Sequence, residues 1–194
     1  MLQNILSKYQ IILASKSPRR QELLKELGVK FNIESKSVEE VYPDHLDDES
    51  IAIYLAELKA KPFQEEIVNT NKLVITADTI VCIDNEVLGK PNDKKEAITM
   101  LQKLSGKSHE VITGVTIMDQ DKSKSFAVST SVYFKALSLD EIEYYIDHYK
   151  PFDKAGAYGI QEWIGMTSIE KIEGSYFNVV GLPIQRLYTE LMTF

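Results

Sequence analysis

Apolar positions along the chain come in short runs separated by turn-forming residues, and the runs alternate between strand-like and helix-like spacing. Ile11-Ile12-Leu13-Ala14 suits a buried strand. Ser17-Pro18 then opens a helix with Leu23, Leu24 and Leu27 on one face, and Gly28 stops it. A second helix over residues 49–61 turns Ile51, Tyr54, Leu55 and Leu58 inward, with Pro62 near its end. Residues 73–75 and 80–83 read as strand, with Asp84-Asn85 as a hairpin turn. Residues 94–104 have helical spacing and are closed by Ser105-Gly106.

Two further strands, residues 110–118 and 126–134, are joined by a polar turn over 119–125. Ser138-x-x-Glu141 is a capping box for a helix that carries Ile142, Tyr145, Ile146 and Tyr149 and stops at Pro151. A glycine-rich stretch over 156–181 leads to a last helix from Pro183, with Leu187 and Leu191 inward. No repeat, low-complexity tract or long linker interrupts the pattern. The expectation is an α/β fold, a mixed sheet flanked by helices, in one continuous domain over residues 1–194.

Charge narrows the partners. The 194 residues hold 22 Lys+Arg against 29 Asp+Glu, a net charge of -7, which argues against binding duplex nucleic acid by neutralising many phosphates. A small anion held by a local basic cluster stays compatible with that balance. A single cysteine, Cys82, excludes an internal disulfide, and three dispersed histidines argue against a Cys/His zinc site. No apolar run approaches the ~20 residues of a membrane span, and the first residues lack a signal-peptide pattern. The expected setting is cytoplasmic.

Several residues break the local rules. Arg19 and Arg20 occupy the first turn of a helix, whose partial positive charge disfavours cations. An anion at that terminus, also met by Ser15 and Ser17, would remove the conflict; a solvated arginine pair is the plain alternative. Asp78 lies within or at the end of an apolar strand, where a carboxylate is normally paired, hydrogen-bonded or metal-bound.

Lys90, between Gly89 and Pro91, is a phosphate-binding candidate or a solvated loop lysine. Glu39 and Glu40 follow an apolar run as either a solvated edge or a carboxylate pair. Lys59 sits one position off an apolar stripe, with its ammonium inward or snorkelling outward. Small residues across 153–161 permit close approach of a ligand, with Tyr158 and Gln161 as recognition groups; a tight bend with an aromatic plug is the bland reading. Neither G-x-x-x-x-G-K-[ST] nor G-x-G-x-x-G is present, which excludes a P-loop and a dinucleotide fingerprint.

In order along the chain stand Ala14-Ser15-Lys16-Ser17-Pro18-Arg19-Arg20, Ala77-Asp78-Thr79, Gly89-Lys90-Pro91, Leu104-Ser105-Gly106, Lys154-Ala155-Gly156-Ala157-Tyr158-Gly159-Ile160-Gln161 and Val180-Gly181-Leu182-Pro183. Together they resemble the Maf family of nucleoside-triphosphate pyrophosphatases, from Ile12 to the final helix. The resemblance implies an elongated ITPase-like fold with an active-site cleft between two lobes. It further implies a divalent metal cation (Mg²⁺ or Mn²⁺) on Glu40 and Asp78, and hydrolysis between the α- and β-phosphates with Asp78 as proton acceptor.

Glu40, Lys59 and Lys90 complete the implied catalytic set, and Ser15 and Arg20 join the lysines in holding the triphosphate. Arg19, Thr79 and Gln161 match the dTTP/UTP subgroup. A homodimer is the assembly the family suggests. Two other readings stand beside it: a pyrophosphatase of broader substrate range, and a regulator of septum formation that binds a nucleotide or partner without turnover.

Overall fold

Side-chain caps set three helix starts at positions where the sequence offers an acceptor. The structure, a computed structural model, describes residues 2–194. Its elements are α1 (Leu2–Leu6), β1 (Gln10–Leu13), α2 (Pro18–Glu26), β2 (Asn32–Ile33), α3 (Asp48–Ala60), β3 (Lys72–Ile83), β4 (Glu86–Leu88) and α4 (Lys94–Leu104). There follow β5 (Ser108–Met118), β6 (Ser123–Phe134), α5 (Leu139–Tyr149), α6 (Trp163–Ser168), β7 (Ile169–Glu173), α7 (Tyr176–Val180) and α8 (Ile184–Thr193). Asp47 caps α3, Asp93 caps α4, and Ser138 with Glu141 forms the expected capping box on α5.

The sheet is mixed and seven-stranded, in the order β2-β1-β3-β5-β6-β7, with β4 on β3. β1 runs parallel to β2 and β3, while β3–β4 and β6–β7 are antiparallel. The expected break between residues 75 and 80 does not exist: β3 is one strand through Thr76 and Asp78. The hairpin turn at Asp84-Asn85 is as expected, with φ of 51° and 62° at its two residues. The polar turn after β5 is shorter than expected, since β6 begins at Ser123. The glycine-rich stretch before the last helix holds α6, β7 and α7.

Contacts divide the chain into two compact units. One comprises residues up to Asp78 with Thr113–Val128 and Gly181–Phe194; the other comprises Thr79–Ile112 and Ser129–Val180. In the first unit, alternate strand residues feed two hydrophobic clusters. Ile11, Leu13, Leu73, Ile75 and Ala77 pack with Leu24, Leu187 and Leu191, whereas Ile12, Ala14 and Val74 pack with Ala60, Phe63 and Ile67. Burial on both faces explains why these strands read as unbroken apolar runs. In the second unit, α4 packs on α5 and on the turn Ala155–Ala157, with Leu101, Leu104, Ile142, Tyr145 and Ile146 fully buried.

The inward face of α3 differs from expectation. Ile51 and Leu55 are buried as predicted, but Ala52, Ala56 and Ala60 take the remaining buried positions and Tyr54 and Leu58 lie at the margin. Small side chains let the helix approach the sheet. A Cβ on Gly114 would fall 2.1 Å from the Ala52 carbonyl oxygen, so the residue on β5 opposite that turn must be glycine.

Candidate active site

The close seating of α3 places its polar groups along one face of β3. Val74 joins the cluster with Ala60, the Thr76 hydroxyl donates to the Ala56 carbonyl at 2.7 Å, and Asp78 receives the Lys59 ammonium. Residues 74, 76 and 78 share that face because strand side chains alternate. Asp78 is buried, 7% exposed, and a carboxylate there needs a charged partner. Lys59 supplies it, and the same Nζ lies 3.0 Å from Glu40 Oε1. The ammonium therefore points inward and does not snorkel, and it joins two carboxylates that are 38 positions apart in sequence.

Arg20 approaches the same charges. Its Nε donates to the Gly181 carbonyl at 2.7 Å and a terminal nitrogen donates to the Ala77 carbonyl at 2.8 Å. Burial draws the guanidinium below its ordinary pKa, Asp78 and Glu40 oppose that drop, and Arg19 adds to it; the group remains a cation. Ser15 is buried on the loop before α2, and its oxygen accepts from the Ser17 N–H at 3.3 Å. Arg19 follows Pro18 in the first turn of α2, partly buried. The first unit thus gathers Glu40, Lys59 and Asp78 into one ion-paired group, with Arg20 in electrostatic contact.

Thr79, Lys90 and Gln161 belong to the second unit. Thr79 is half-buried on β3 directly after Asp78, and Lys90 is exposed beyond β4. Gln161 is exposed in the tight turn Gly159-Ile160-Gln161-Glu162, closed by the Glu162 N–H donating to the Gly159 carbonyl at 3.0 Å. Tyr158 is not a recognition group: it is 5% exposed, bonded to His109 Nε2 at 2.8 Å and edge-on to Phe134. It is the aromatic plug.

The sequence pattern gives no role to two polar residues beside this turn, Lys154 and Tyr145. Lys154 is buried and pairs with Asp153 at 2.7 Å and with Glu162 at 3.0 Å. Tyr145, read as core from its helical spacing, is fully buried yet donates to Glu162 Oε2 and accepts from the Gly159 N–H at 3.0 Å. A lysine between an aspartate and a small-residue run was the available signal for Lys154. Nothing in the spacing distinguishes the Tyr145 hydroxyl from that of an ordinary core tyrosine.

A family model described as Maf-like protein matches residues 10–194. The chain belongs to the Maf family. It is 54% identical over 192 residues to a dTTP/UTP pyrophosphatase of Phocaeicola vulgatus, covering 98% of each chain. It is 47% identical over 196 residues to a protein of the same name from Porphyromonas gingivalis, covering 100% of this chain and 98% of that one. Among solved structures it resembles the Staphylococcus aureus Ham1 protein, with a TM-score of 0.55 at 16% identity over 95% of this chain and 98% of that one. That likeness concerns the fold and bears out the ITPase-like architecture. Among the described residues, no helix is long and apolar enough to cross a membrane.

Proposed function

We propose that this Maf protein hydrolyses dTTP and UTP between the α- and β-phosphates, releasing the nucleoside monophosphate and pyrophosphate. The observation that carries the reading is the Glu40–Lys59–Asp78 group. It is supported by relatives of about the same length, near half identical throughout, that are named for this activity.

Water attacks the α-phosphorus, the bond to the bridging oxygen breaks, and pyrophosphate leaves. Asp78 takes the proton that the water loses. Ser15, Arg20, Lys59 and Lys90 hold the triphosphate and offset charge as it develops. Local cations of this kind let an acidic protein bind a polyanion.

A divalent cation fits the donor set. Glu40 and Asp78 offer hard oxygen ligands, and no group of three or more His, Cys, Asp or Glu side chains forms a cage among the described residues. Few carboxylates, completed by phosphate and water, suit Mg²⁺ or Mn²⁺ better than a closed all-protein site. When bound, the ion supplies Lewis-acid stabilisation of the leaving pyrophosphate.

Thr79, Arg19 and Gln161 set base preference. Thymine and uracil present an acceptor at O4 beside a donor at N3–H, and an amide answers both. The test is pyrophosphate release with Mg²⁺ across dTTP, UTP, CTP, ATP, GTP and ITP. Preference for dTTP and UTP, reduced at least ~100-fold by Asp78→Asn in a folded protein, is the expected result. Gln161→Glu should blunt that preference. Near-normal turnover by the Asp78→Asn variant would remove Asp78 from the mechanism, and a flat substrate profile would remove the base reading.

A further inference from the structure

A base-reading glutamine discriminates only as well as it is placed. Its amide can turn over and present the reverse pattern of donor and acceptor, which suits cytosine. What holds the backbone beneath Gln161 therefore bears directly on selectivity. The turn that carries it has a single hydrogen bond of its own, from the Glu162 N–H to the Gly159 carbonyl.

A second tie comes from outside the turn. The hydroxyl of Tyr145, on α5, accepts from the Gly159 N–H at 3.0 Å and donates to the Glu162 carboxylate. One hydroxyl thus grips the first and last residues of the four-residue turn, with Gln161 between them. The ring behind it is fully buried and stacks on Tyr149, so the hydroxyl cannot drift. Burial and the Glu162 carboxylate push the phenol well above its ordinary pKa, so its proton stays in place to be donated.

The other oxygen of Glu162 is occupied as well, by Lys154 Nζ at 3.0 Å. The three side chains close over Gly159, where an added Cβ would meet the Glu162 carboxyl carbon at 2.9 Å and Lys154 Cε at 3.0 Å and make both shift. Glu162 opens α6 without capping it through its side chain, leaving the carboxylate to these partners.

We propose that Tyr145 is a positioning residue for base recognition, its hydroxyl holding the Gly159–Glu162 turn in the form that presents the Gln161 amide. The inference rests on the reading of Gln161 given above. A hydrogen-bonded residue behind a recognition group fixes geometry that the recognising side chain cannot fix alone.

The test is the ratio of kcat/KM for dTTP over CTP in wild type, Tyr145→Phe, Gln161→Ala and the double variant. Tyr145→Phe keeps the stacked ring and removes only the hydroxyl. The ratio is expected to fall about tenfold, through KM more than kcat. In the Gln161→Ala background the same change should alter the ratio less than about twofold, because nothing remains to be positioned. An unchanged ratio in Tyr145→Phe overturns the proposal, and so does a fall that persists in full without Gln161.

If Gln161→Ala alone leaves the ratio unchanged, or wild type turns over neither nucleotide, the reading of the site fails and the proposal with it. The Gln161→Ala and wild-type arms thus separate that failure from a failure of the clamp. Should Tyr145→Phe not fold, Glu162→Gln keeps an oxygen for the hydroxyl and Glu162→Leu does not. The first should hold the ratio within about threefold and the second should lose it; equal ratios overturn the proposal.

Discussion

His109 titrates well below an ordinary imidazole because the fold buries it. It is 3% exposed, shares a hydrogen bond with the Tyr158 hydroxyl, and its Nδ1 has no partner among the described residues. Burial lowers its pKa from the ordinary 6.5 to about 4. The unfolded chain therefore takes up a proton before the folded one does as the pH falls. Stability from this group is complete above pH 6.5 and is lost between pH 6.5 and 4, by roughly 3 kcal/mol at the lower end. Urea unfolding across that window should show the loss in wild type. His109→Gln, which keeps a polar group toward Tyr158, should show a shallower decline between the same limits.

The candidate site residues were visible singly. Asp78 stood out as a carboxylate in an apolar strand, and Lys59 as a lysine at the edge of a stripe. Their meeting was not visible, because Glu40 lies in an irregular segment without period, and only the fold brings it to Lys59. Tyr158 showed the reverse difficulty: a tyrosine among small residues suits a ligand and a packed bend equally, and its burial against His109 decides the matter.

Among the elements, α3 matters most to the site, since it carries Lys59. Its distance from the sheet is set by backbone meeting backbone at Ala52 and Gly114. Gly114→Ala must lift the helix or bend the strand, and no side-chain change on α3 can compensate. A loss of about 1–3 kcal/mol in stability is expected, with turnover down at least ~10-fold as Lys59 moves from Asp78. Gly89→Ala is the stability control, because its Cβ would meet nothing within 4 Å. Equal unfolding midpoints for the two variants would show that the close approach is not what seats α3.

Helices with strong local signals were legible: α2, α4 and α5 begin within one residue of their expected starts. The inward face of α3 was not, because alanines carry little hydropathy contrast yet are what a close approach selects. The sequence pattern divides β3 because Thr76 and Asp78 interrupt its apolar run, and both are satisfied by α3. α6, β7 and α7 are five or six residues each. Elements so short depend on tertiary contacts more than on propensity, and leave little periodicity to detect.

At the level of the whole chain, the path between the two units is the notable feature. It passes from one to the other after Asp78, Ile112, Val128 and Val180. The first three of these points lie inside β3, β5 and β6, so the passages are made by hydrogen-bonded strand and not by linker. Asp78 and Thr79, for which catalysis and base preference are proposed, are neighbours in sequence at one such passage.

That path has a consequence for proteolysis. Trypsin acting after Lys122, at the exposed turn between β5 and β6, would leave fragments 1–122 and 123–194. Each fragment would own part of both units: the first keeps 79–112 beside its share of the other unit, and the second keeps 129–180 as well as 181–194. Neither piece is then a foldable half, and neither can depart without stripping both cores. The nicked protein should elute from a native sizing column as the intact chain does, and resolve into two bands only in denaturant. Separate native peaks would show instead that one fragment holds its fold unaided. A cut polypeptide that stays together in this way also sets a rule for dividing the gene: two co-expressed fragments split at that turn should reassemble, whereas neither should accumulate as a folded protein alone.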